Sequence, residues 1–260
     1  MDPILTVVEL GDVARPIGNY GVMLTVAILV MTGLVVRAAA RARLDVGATI
    51  ATLGFVCAGA GTGAFLLFVL VEWVRTGTPM GAITQPGDVF FGAPAGAAVA
   101  LYLSCRAFGL PFGLLADLSP PGLAASHAVG RLGCFLGGCC YGAPSEGPLA
   151  VLYTHPLAPG AHPSILRHPT PLYEGAGLLV LALVFALVPL GSVGAGRRLL
   201  AYGAAYGVLR FVIELFRGDA ARGVYFGGAV STSQLVALVL IAGSVAALLL
   251  RPLPPRPPVA

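Results

Sequence analysis

The sequence predicts an all-α polytopic membrane protein with seven transmembrane helices. Three observations carry that expectation. Hydrophobic residues make up 57% of the chain and charged residues 10%, with a mean hydropathy of +0.91; soluble domains carry roughly 25% charged residues. Apolar runs of spanning length recur along the chain, separated by loops that hold most of the charge. The densest arginine clusters, finally, fall on alternate loops, as the positive-inside rule requires.

Residues 19–36 form the first apolar run, followed by RAAARAR at 37–43. The second, 46–71, carries Gly59 and Gly63 at the spacing of a helix-packing pair. A polar loop leads to the third, 89–105, which opens on FFGAPAG and is expected to kink near its start at Pro94. After Arg106 and a Pro/Gly turn ending in Asp117, residues 121–140 give the weakest hydropathy signal. This fourth segment is expected to be a short or broken helix shielded by its neighbours. A Pro/His-rich loop fills 142–171. The fifth span, 172–190, is expected to have Thr170 as its N-cap and Pro171 at its first helical position. Residues 199–216 form the sixth span after Arg197 and Arg198, 218–228 a loop, and 232–250 the seventh. A proline-rich tail, 251–260, closes the chain.

With the N-terminus outside, Arg37, Arg41, Arg43, Arg106, Arg197, Arg198, Arg251 and Arg256 lie inside. Arg15, Arg75, Arg167, Arg217 and Arg222 lie outside, and Arg131 and Arg210 fall within spans. The expected arrangement is one seven-helix membrane domain over 1–260, with loop 142–171 extracytoplasmic and the tail cytoplasmic. The opening residues lack the basic flank of a cleavable signal peptide, so the first span is expected to direct insertion with nothing removed. A net charge of +4, carried by scattered arginines and no lysine, argues against nucleic-acid binding. Five cysteines, Cys57, Cys105, Cys134, Cys139 and Cys140, do not form a secreted disulfide framework.

Candidate chemistry gathers in three places. HAVGRLGCFLGGCCYG, residues 127–142, sets His127, Arg131 and three cysteines among glycines, with Gly133/Gly137 and Gly138/Gly142 as close-approach pairs. A guanidinium in so apolar a segment is expected to face a partner, a polar cavity or an anion. His127, four residues before Arg131, shares its helical face and is the acid–base candidate; a hydrogen-bonded structural histidine is the alternative. In YGVLRFVIELFRGD, Tyr206, Arg210, Glu214 and Arg217 fall within about 80° of one another on a helical wheel. Arg210 and Glu214 are spaced to pair, and the positive charge left over suits a phosphate, which arginine binds in bidentate fashion. In RHPTPLYEG, His168 can titrate near neutrality, while Tyr173 and Glu174 enter the first turn of the fifth span. Glu174 there also reads as simple complementarity to the helix dipole. His155 and His162 read as ordinary loop residues. Packing is the favoured role for Cys134, Cys139 and Cys140. A metal site with His127 or an Arg131-activated thiol is the sharper alternative.

Taken together, these motifs resemble the prolipoprotein diacylglyceryl transferase family of bacterial plasma-membrane enzymes. The resemblance rests on Tyr20–Gly21, GRLGxF and the glycines up to Gly142, HPxxLYE at His168–Glu174, YGxxRFxxExxR at Tyr206–Arg217 and Ser233–Gln234, in the family's order. It implies seven helices with the N-terminus outside, no cofactor or metal, and two substrates: phosphatidylglycerol and the lipobox peptide of a prolipoprotein. The diacylglyceryl group would pass to the lipobox cysteine thiol, forming a thioether as glycerol phosphate leaves. By the same resemblance Arg131, Arg210 and Glu214 form the catalytic core, with His127 as the substitute base. Tyr20 and Tyr206 line the core, His168, Tyr173 and Glu174 wall it, and Cys134 and Arg217 complete the substrate contacts. Two positions depart from the pattern: Phe91 stands where the family has a histidine, and Cys134 where it has asparagine. A paralogue with another acceptor, a phosphate-holding transporter or a redox or metal protein built on the three cysteines are the competing functions. Serine at all three cysteines is expected to leave a transferase much of its activity.

Overall fold

The computed structural model describes residues 3–10, 13–77, 92–187, 196–218, 223–225 and 230–250. They are mostly helical. A hairpin of β1 (Ile4–Leu10) and β2 (Val13–Gly18) leads into α1 (Asn19–Arg41), then α2 (Val46–Thr76), α3 (Gly92–Phe108), α4 (Phe112–Leu118) and α5 (Pro120–Leu136). The short strands β3 (Val151–Leu152) and β4 (Leu166–Arg167) pair antiparallel in the long loop. Then come α6 (Thr170–Leu187), α7 (Arg197–Glu214), the paired β5 (Val224–Tyr225) and β6 (Val230–Ser231), and α8 (Thr232–Leu250).

Among the described residues, four helices are long and apolar enough to cross a membrane: Asn19–Arg41, Val46–Val74, Thr170–Leu187 and Thr232–Leu250. The other expected spans are shorter or more charged. α3 and α5 have 17 residues each, and α7 carries Arg197, Arg198, Arg210 and Glu214.

The chain forms two compact units, Val35–Leu115 and Met1–Leu34 with Ala116–Ala260. In the first, α2 opens on the N-cap Asp45, whose carboxylate accepts from Ala48 N at 2.6 Å, and closes on Gly77 at φ 68°. Gly59 and Gly63 do pack a helix, as their spacing indicates, and the partner is the Gly92–Gly96 pair of α3. A methyl on Gly96 would overlap Gly59 O, and one on Gly92 would overlap Gly63 O. The two backbones touch because none of the four positions has a side chain. Pro94, expected to kink the third span near its start, falls at the third residue of α3. It lies in the first turn, where its missing N–H would have no helical partner anyway. Phe91 lies outside the described residues, as does the tail.

In the second unit, α5–α8 pack as neighbours in sequence order, with Ala124, Phe185 and Tyr202 at the centre of an apolar cluster. Asp117, expected in a turn, is the penultimate residue of α4 and is buried. Its carboxylate accepts from Gly196 N at 3.1 Å and Arg198 N at 2.7 Å, capping α7 from 80 positions away in sequence. Arg198 is likewise buried and donates to Phe185 O, so it does not sit in a solvated loop. Thr170 is the first residue of α6 and not a cap: its hydroxyl donates to Cys140 O at 2.6 Å.

Candidate active site

Five segments reach the same end of this unit: the start of α1, the end of α5, the first turn of α6, the end of α7 and the start of α8. Antiparallel neighbours require it, since each helix that arrives is followed by one that leaves. The end of α5 approaches α1 through Gly133 and Gly137. A methyl on Gly133 would lie 2.9 Å from Met23 Cβ and 3.4 Å from the Tyr20 ring. Tyr20 thus lies over this face, half exposed.

Glu174 is the centre of the site. Its side chain is 1% exposed and meets four groups from two other helices. Arg131 Nη2 is 2.9 Å from Oε1, Arg210 Nη1 is 3.7 Å from Oε2, His127 Nε2 is 3.8 Å from Oε1, and the Tyr206 hydroxyl donates to Oε1 at 3.3 Å. The dipole role is therefore minor; Glu174 holds the site together and is not part of an outer wall. Arg210 also meets Glu214 at 2.6 Å, the i,i+4 pair expected on α7, and donates to Ser233 Oγ at 3.0 Å. The His127 ring lies against Tyr206, with centroids 5.2 Å apart.

The charge balance differs from the expected surplus. Arg131 and Arg210 face Glu174 and Glu214, two against two. α7 ends at Glu214, so Arg217 leaves the stripe and bridges to Gly142. Of the nitrogens on Arg131 and Arg210, two are buried without a hydrogen-bond partner, Arg131 Nε and Arg210 Nη1. Both belong to the arginines that meet at Glu174, and Arg210 Nη1 faces Glu174 Oε2 at 3.7 Å, beyond hydrogen-bond length. Leaving such donors unsatisfied costs about 1–3 kcal/mol each.

The remaining candidates form the surround. His168 Nδ1 lies 3.2 Å from the Tyr173 hydroxyl, and both rings stack edge-on with Phe216. Gly142 makes this possible: any side chain there would strike His168 and Phe216 O. Loop 142–171 folds over the end of α5, with Tyr153 between Phe135 and Tyr141 and Arg167 over the Tyr141 ring at 4.7 Å. Burial pushes the Tyr153 phenol above its ordinary value. His155 and His162 accept from Leu157 N and Ser164 N, each at 3.2 Å, as ordinary loop residues do. Cys134 is buried on α5, and Cys140 Sγ accepts from Arg131 Nη1 at 3.9 Å.

A model of the prolipoprotein diacylglyceryl transferase family matches residues 7–250. The chain belongs to this family. Relatives named phosphatidylglycerol–prolipoprotein diacylglyceryl transferase include those of Clostridium tetani, Dehalococcoides mccartyi strain CBDB1 and Gloeobacter violaceus. The first is 36% identical over 60% of each chain and the second 29% over 92% of each. The third is 35% identical over 70% of this chain and 69% of its own.

One contact escaped the sequence reading. Ser233, noted for resemblance alone, is a hydrogen-bond partner of Arg210. Its signal was available in STSQ at 231–234, a capping box. Ser231 N donates to Gln234 Oε1 and Gln234 N to Ser231 Oγ, which fixes the start of α8 beside Arg210.

Proposed function

We propose that the protein transfers the diacylglyceryl group of phosphatidylglycerol to the cysteine thiol of a prolipoprotein lipobox. It would do so as a seven-span, single-domain protein of the bacterial plasma membrane, N-terminus outside. One observation carries the reading: Arg131 on α5 and Arg210 on α7 converge on Glu174 of α6. Two guanidiniums at one point suit a phosphate whose charge grows as the glyceryl C–O bond breaks.

Glu174 and Glu214 hold the arginines converged before lipid arrives, and the headgroup phosphate then accepts from Arg131 Nε and Arg210 Nη1. This pre-organisation keeps two cations from repelling each other in a low-dielectric site. His127, beside Glu174 and Tyr206, is the proton acceptor for the thiol. Tyr20 and Cys134 line the approach from α1, and His168, Tyr173 and Arg217 form the rim.

Transfer of labelled diacylglycerol to a lipobox peptide, alongside complementation of a transferase-depleted strain, tests the reaction. Arg131→Ala and Arg210→Ala should each cost about 2–4 kcal/mol of transition-state stabilisation. A loss below about tenfold from either contradicts the clamp. No product from folded protein rejects the reaction and favours a phospholipid-binding or transport role.

A further inference from the structure

Cys134, Cys139 and Cys140 bring their three sulfur atoms within 4.8 Å of one another. Helical spacing does not do this, since positions five and six apart diverge on a wheel. The turn after α5 does. Gly138 reverses the chain at φ 67°, Cys139 N closes the turn on Cys134 O at 3.0 Å, and Cys140 adopts φ 57°. That conformation is uncommon for a residue with a side chain, and the Thr170 hydroxyl on Cys140 O holds it. A zinc ion with Zn–S bonds of about 2.3 Å sets its sulfurs about 3.8 Å apart, so a shift of about one ångström would complete the triangle. Three thiolates on a divalent cation leave one negative charge. Arg131, with Nη1 3.9 Å from Cys140 Sγ and Nη2 on Glu174, lies between that charge and the carboxylate and is shared by both. His127 is not among these ligands, because its ring lies against Tyr206 and beside Glu174.

We propose that Cys134, Cys139 and Cys140 bind a zinc ion through three thiolates, and that its fourth position takes the acceptor cysteine as a thiolate. Three protein ligands with one open position is the arrangement of a catalytic zinc, not a structural one. The acceptor half of the proposal rests on the transferase reading, and it replaces the expectations of no metal and of activity retained with serine at all three cysteines. Coordination exchanges the acceptor S–H bond for S–Zn, the proton passing to water and through it to His127. The sulfur lone pair then forms the C–S bond to the glyceryl carbon. As the C–O bond to phosphate breaks, its electron pair leaves with glycerol phosphate, held by Arg131 and Arg210. Nothing is oxidised or reduced, and the neutral thioether binds zinc more weakly than the thiolate, which frees the position.

The test begins with zinc content, measured by elemental mass spectrometry on the full-length protein in detergent. One zinc per chain is expected, retained in Cys57→Ser/Cys105→Ser and lost in Cys134→Ser/Cys139→Ser/Cys140→Ser. Cobalt loading of the wild type should give the thiolate charge-transfer and tetrahedral absorption bands, a readout that does not depend on the variant folding. Substoichiometric zinc after loading, or a disulfide among the three cysteines, overturns the site. Chelator-stripped wild type should lose transfer by at least about tenfold and regain it with zinc. Equal rates stripped and loaded overturn the acceptor role. A stoichiometric zinc protein that transfers nothing to a lipobox peptide overturns the transferase reading and leaves the metal site standing.

Discussion

A carboxylate in the first turn of a helix is normally explained by the dipole of that helix. Glu174 departs from this because it is almost fully buried among three helices and carries two guanidiniums. Removing one partner of a buried charge network leaves the others uncompensated, which costs about 3–5 kcal/mol. Glu174→Gln preserves shape and one acceptor while deleting the charge. It should lower the thermal stability of the detergent-solubilised protein as well as its activity. An unchanged melting temperature would mean that the arginines are balanced from elsewhere. His127 separates on a different measurement. If it accepts the thiol proton, His127→Ala should slow transfer by about 10²–10⁴-fold, while His127→Gln, which keeps the packing against Tyr206, should be as slow at a near wild-type melting temperature. Wild-type rates in either variant would remove it from the mechanism.

The helices are held by two devices, glycine contact and caps made by residues distant in sequence. Gly59, Gly63, Gly92 and Gly96 let α2 and α3 meet backbone to backbone. Gly96→Val should therefore destabilise the protein by about 1–3 kcal/mol or more through overpacking. Gly61→Val is the control: its position is exposed and a methyl there meets nothing within 4 Å. Equal melting shifts for the two variants would refute the close contact. At the other end of α5–α8 from the site, Asp117 caps α7. That cap fixes where α7 begins, and with it how far along the helix Arg210 stands from the bundle's end.

For the whole molecule, the five segments of the site share one end, and the proposed topology makes that end extracytoplasmic. Acceptor peptides are then met where they emerge from secretion. Single cysteines at Ser145 and Pro156, in a background lacking the native five, should react with a membrane-impermeant maleimide in intact cells. One at Arg43 should react only after permeabilisation. The reverse pattern would invert the topology and place the arginine pair on the wrong side for a secreted acceptor.

Composition alone determined that the chain is a helical membrane protein, because burying that much apolar surface in water-free surroundings admits few other architectures. The last helix, Thr232–Leu250, agrees with its sequence reading to the residue, since apolar length and a polar start bound it locally. Motif spacing likewise identified Arg131, Arg210 and the Arg210–Glu214 pair, which depend on one helix each. What needed three dimensions was which residues meet across the fold. Glu174 as the meeting point of two arginines, Asp117 as the cap of α7 and three cysteines gathered at one turn join residues that no periodicity links. Hydropathy reports what a segment prefers as solvent, and only packing decides which polar group each buried charge finds.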